Sequence, residues 1–144
     1  MAKDKRKSKY IPTFQVASDD LVVLDEEGNE HHPHEGEWVR FRKGVPMSIM
    51  RLVAKAAQIE DLPDDAGEAE REAATLQYAE VSEGIVKALA HQVYAWSWTD
   101  DDYAPLPSPR EDREAFVECL WQLEDYEIAW LQEHLTDGAN ISKN

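Results

Sequence analysis

The stretch YAWSWTDDDYAPLPSPRED, residues 94–112, decides how the chain is folded. Two tryptophans, three consecutive aspartates and three prolines fall between two segments of helical periodicity. Read as a rigid corner, it turns its flanks into an antiparallel α-hairpin. Before it, Tyr78, Val81, Ile85, Leu89, Gln92 or Val93, and Trp96 form one stripe, which predicts a helix over about 68–97 with a bend at Gly84. After it, Ser108-Pro109-Arg110-Glu111 has the form of a capping box with proline at the first helical position. That predicts a second helix running to about Thr136, with Gly138 just past its end. At ~1.5 Å per residue the two helices come to roughly 45 and 42 Å, a matched pair. The connection over 98–107 is longer than a helix hairpin needs.

Upstream, the period changes. In EWVRFRK (37–43), Trp38, Arg40 and Arg42 alternate with Val39 and Phe41, the pattern of a strand with one buried face. TFQV (13–16) and LVVLDEEGNE (21–30) also read as strands and turns, and Leu21–Asp25 is expected to pair with Glu37–Lys43. Pro46 or Ser48 can open a short helix carrying Ile49, Leu52, Val53 and Ala56 on one face, ended by DLPDDAGE (61–68). The expected fold class is α+β, mainly α: a small N-terminal antiparallel β element, a short helix and a long antiparallel α-hairpin. Residues 1–12 read as a basic flexible arm, 13–138 as a single domain and 139–144 as a tail.

Charge narrows the function classes. Of 144 residues, 30 are acidic and 15 basic, for a net charge of −15. Residues 1–9 hold five Lys or Arg and one Asp, so the remainder carries −19. Such a body repels phosphate backbones and anionic membranes, which leaves nucleic acid at most a weak contact through the basic arm. No signal peptide or long apolar run is present, and the reading is a cytoplasmic protein. The single cysteine, Cys119, reads as a small core residue.

Four groups bear on chemistry. Asp100-Asp101-Asp102 fails as a calcium loop: counting from Asp100, Glu111 suits position 12, but Pro105 stands where a glycine is required. EHHPHE (30–35) places His31, His32 and His34 beside Glu30 and Glu35, yet one local run lacks the two separated ligand pairs of a structural zinc site. Glu124 and Glu127 fall on the apolar face of the last predicted helix. Buried carboxylates there could do acid–base work, but a salt bridge to Arg51, Arg71 or Lys87, or a partly uncovered face, is the favoured reading. No nucleophile, phosphate loop or cofactor motif accompanies them, so neither a catalytic residue, a metal nor a cofactor is assigned.

The aromatic residues carry the functional expectation. Trp96, Trp98, Tyr103, Trp121 and Trp130, with Leu106, are the candidate partner-binding residues; Trp98 and Tyr103 lie where a large ring is hard to bury. The prolines of APLPSP (104–109) stiffen the corner that presents them.

EWVRFRKGVPMS (37–48) leading into a helix, and WSWTDDDYAPLPSPREDREAFVECLWQL (96–123) before a last helix ending near IAWLQEHL (128–135), resemble the tail assembly chaperones of tailed bacteriophages. The order of features is similar over about residues 20–136. Tyr103-Ala104 stands where that family's acidic turn has a glycine. The resemblance implies a non-enzymatic protein of the bacterial host cytoplasm that binds the long helical tape-measure protein and keeps it soluble during tail assembly. A head or tail component of the virion, or a self-associating scaffold, is the alternative.

Overall fold

The computed structural model describes residues 9–58 and 63–138. Most of the basic arm, the tail and part of the turn near residue 60 lie outside them. In chain order the elements are β1 (Thr13–Ala17), β2 (Val23–Leu24), β3 (Glu30–His31), β4 (Trp38–Arg42), α1 (Met47–Ala57), α2 (Glu68–Gln92), β5 (Val93–Trp96), α3 (Arg113–Gln122) and α4 (Asp125–His134). The fold is mixed α/β with more helix than strand.

The alternation in β4 is realised as expected: Val39 and Phe41 are fully buried, while Trp38, Arg40 and Arg42 are half-exposed. Its partners differ from the expected ones. β1 pairs with β4 in antiparallel register, Phe14 opposite Phe41 and Val16 opposite Val39. The expected partner, Leu21–Asp25, instead folds back on itself as the β2–β3 hairpin. Asp25 explains why: its Oδ1 accepts from the Glu27 and Asn29 amides, closing a turn in which Gly28 takes φ 85°.

The predicted helix over 68–97 ends at Gln92, and Val93–Trp96 becomes β5, the third strand, in order β1-β4-β5. Gly84 does not interrupt α2. Its bare Cα lets α1 approach, since a Cβ there would lie 2.8 Å from Leu52 Cδ1.

The single last helix is two helices. The expected cap at Ser108 forms a turn, with the Glu111 and Asp112 amides bonded to the Ser108 carbonyl. The cap lies one turn later at Asp112, whose Oδ1 accepts from the Ala115 amide at 3.0 Å. The chain then extends at Leu123 and Glu124 before α4 begins. The Glu127 side chain accepts from the Glu124 amide at 2.8 Å, the back-reaching half of a capping box. Gly138 is not a simple helix terminator: it packs on the backbone of Lys43, where a Cβ would lie 2.3 Å from the carbonyl oxygen.

One core joins the sheet to the helices, built from Val39, Phe41, Ile85, Leu89, Phe116, Leu120, Leu131 and Leu135 with three tryptophans. α2 packs against α1, α3 and α4. Its first half is another matter. From Glu68 to Glu80 every residue is exposed except the half-buried Ala74.

Candidate functional site

Three of the candidate aromatic residues turn inward. Trp96, Trp98 and Trp130 are buried, Trp98 to 1% exposure, against the expectation that its ring is hard to cover. Each indole N–H finds an acceptor, which removes the main penalty of burying it. Trp98 donates to Ser18 Oγ at 2.8 Å, Trp96 to the Pro107 carbonyl at 2.9 Å and Trp130 to Asp20 Oδ1 at 2.9 Å. Trp98 is stacked on Trp96 and lies tilted against Trp130.

The histidine run is divided among separate tasks. His31 bonds to Asp25, whose carboxyl is held down at about 2 chiefly by that hydrogen bond and the backbone of Asn29. His32 reaches the Asp19 carbonyl. His34 is buried, with Nδ1 2.6 Å from Glu37 Oε1 and Nε2 2.6 Å from Glu127 Oε2. Its ring stacks on Trp98 at 3.9 Å with 5° between planes. Two ionised carboxylates can only accept, so the ring must carry a proton on each nitrogen to satisfy both. Burial disfavours that charge, but the hydrogen bonds to Glu127 and Glu37 and their negative charges outweigh it, and the His34 pKa is raised. Glu37 is further bound by the amide and hydroxyl of Thr99. Glu127 therefore pairs with His34, not with the expected Arg51, Arg71 or Lys87, while its other oxygen caps α4.

A cleft of about 430 Å³ opens beside this cluster, lined by His34, Thr99, Asp100, Tyr103, Leu106, Cys119, Tyr126 and Glu127, among others. Cys119 and His34 both line it. Burial and the nearby Glu127 push the thiol up to about 11, and both His34 nitrogens are engaged. Among the described residues, no three His, Cys, Asp or Glu side chains converge as metal ligands.

Tyr103 stands at the mouth of that cleft, 83% exposed. The loop holding it is built by Asp100, whose Oδ1 accepts from the Asp102 and Ala104 amides. The turn leaves Tyr103 at φ 64°, the left-handed region that favours glycine. Leu106 is half-buried behind it and donates its amide to the Trp98 carbonyl.

Trp121, half-exposed, belongs to a different surface. It edges a groove of about 520 Å³ between α2 and the α3–α4 pair, lined by Tyr78, Val81, Ile85, Leu120, Leu123 and Ile128 together with the polar Ser82, Asp125 and Gln132. A second recess of about 360 Å³, formed with Val86, Ala90 and Val117, also reaches Trp121. The six candidate residues thus fall into a buried trio, a pair at the cleft mouth and Trp121 alone on the groove. Sequence reasoning missed Tyr78 as a surface residue, because its place in the helical stripe reads as core. It missed His34 because both partners that define it are brought in by folding.

No family model, curated protein or solved structure matches the chain. Among the described residues, no helix is long and apolar enough to cross a membrane.

Proposed function

We propose that the chain is a non-enzymatic, tail-assembly-chaperone-like protein of the bacterial host cytoplasm. In this reading it holds an apolar stripe of a long helical partner, such as a tape-measure protein, in the groove between α2 and the α3–α4 pair. The groove takes the place of the aromatic corner expected from the sequence as the docking element, since Trp96, Trp98 and Trp130 of that set are buried.

The observation that carries the reading is the groove itself, continued by the exposed half of α2. Tyr78 is 66% exposed where it lines the groove. Trp121 lines the same trough, with Val81, Ile85, Leu120 and Ile128. Aromatic anchors beside an apolar trough are the form in which helical segments are bound. An acidic surface favours solubility while such a trough stays open. The engaged nitrogens of His34 and the protonated thiol of Cys119 support the non-enzymatic reading.

The test is gentle purification of tagged protein from its native cells, in parallel with a Tyr78→Ala/Trp121→Ala variant. The expected result is one long helical protein recovered with the parent and lost with the variant, at an unchanged melting temperature. Recovery of assembled particles by both proteins would instead support a virion component.

A further inference from the structure

Three arginines of this acidic chain gather on one small cavity. Arg42 of β4, Arg110 of the turn before α3 and Arg113 at the start of α3 line about 250 Å³ of space together with His91 and Tyr94. Each is held differently. Arg42 donates Nε to the His91 carbonyl at 2.9 Å, which leaves the outer edge of its guanidinium for another acceptor. Arg110 lies over the Tyr94 ring at 4.2 Å, with Arg42 at 5.9 Å from the same centroid. Arg113 is the first residue of a ten-residue helix, where the backbone adds positive potential.

None of the three is within ion-pair distance of a carboxylate among the described residues, in a chain with 30 acidic groups against 15 basic ones. Glu111, Asp112 and Glu114 flank Arg110 and Arg113 along the chain, and Asp112 spends its carboxylate on the Ala115 amide. Burial, then the charges of Arg42 and Arg113, push the His91 pKa down.

We propose that this cavity is a binding site for a small dianionic oxyanion, a phosphate or phosphomonoester group held by Arg42, Arg110 and Arg113. Guanidinium forks match the paired oxygens of such a group. The volume lies below that of ordinary ligand pockets, so it suits a headgroup and not a nucleotide. The net charge of −15 opposes an extended polyanion, which would meet repulsion everywhere beyond these side chains. A monoanion would leave most of the gathered positive charge unanswered. The site is separate from the proposed docking groove and does not depend on that reading.

The His91 ring supplies the readout. The full chain is titrated by NMR in sodium sulfate, a dianion across the pH range used, and in sodium chloride at matched ionic strength. Inorganic phosphate and acetate are then added at fixed pH. The expected result is a saturable rise in His91 proton affinity in sulfate, on the order of tenfold, from a dianion placed close to the ring. Phosphate should move the same resonances, acetate should not. Arg110→Gln/Arg113→Gln should abolish the response, and Arg51→Gln/Lys55→Gln, a control of equal charge change outside the cavity, should keep it. If the double variant loses its cooperative melt, Arg110→Gln alone, at an exposed position, decides by weakening the response. The proposal is overturned if chloride reproduces the shift, if acetate equals phosphate, or if the arginine variants leave the response intact.

Discussion

His34 ties a loop near the N-terminal end of the fold to the start of α4, a span of 93 residues. Removing its ring strands two carboxylates whose side chains are only 14% and 13% exposed. His34→Gln should therefore lower stability by about 3 kcal/mol in urea unfolding near pH 6. The pH dependence has a definite sign. His34 has a raised pKa when folded, so its contribution is complete below the unfolded value of 6.5 and is lost as pH rises through the folded one. The urea midpoint of the parent should fall on the alkaline side of 6.5, and His34→Gln should lack that part of the slope. Tyr103 makes a contrasting prediction. A tyrosine at φ 64° carries strain that glycine would not, offset by the freedom glycine gains when unfolded. Tyr103→Gly should leave stability within about 1 kcal/mol of the parent in the same assay, with any change toward greater stability. The backbone at Tyr103 has the geometry that glycine takes most readily. His34 was legible only as a member of a histidine run, since nothing local announces partners so far along the chain.

The helices and strands follow local chemistry more closely than long-range periodicity. VYAW, residues 93–96, continues the apolar stripe of α2, so spacing alone extends the helix through it. Its β-branched and aromatic residues favour a strand, and an open edge of β4 receives them. The break at Leu123 and Glu124 was also written in the residues: a glutamate three positions after Glu124 is the back-reaching element of a capping box. Reading both glutamates as members of one apolar face hid that signal. The start of α3 gives a direct comparison of two candidate caps. Asp112→Ala should reduce stability by about 1 kcal/mol, because it strips the acceptor from the Ala115 amide. Ser108→Ala should change it by only a few tenths of that scale, since its hydroxyl makes a long 3.3 Å contact to the Arg110 amide. Thermal or urea unfolding of the two variants separates them, and equal losses would place the cap where the sequence alone suggested.

At the scale of the whole molecule, the buried half of α2 is a core element and the exposed half is not. Val81, Ile85 and Leu89 are held by the sheet and the later helices, whereas the segment from Glu68 to Glu80 has almost no cover. A helix of that length is marginal in water without packing. Its amides should exchange with deuterium much faster than those of residues 81–92 in the isolated protein, and slow when the groove is filled. Equal protection along α2 in the isolated protein would contradict this division. The sequence showed the apolar stripe but not where its cover stops, because that depends on how far α3 and α4 reach along it. The most direct test of the docking account is a photo-reactive side chain at position 121, introduced in the native cells, with position 10 as an exposed control outside the groove. Cross-linking from position 121 to one long helical protein, with little from position 10, is the expected result. Equal cross-linking from both positions, or none from position 121, would contradict it.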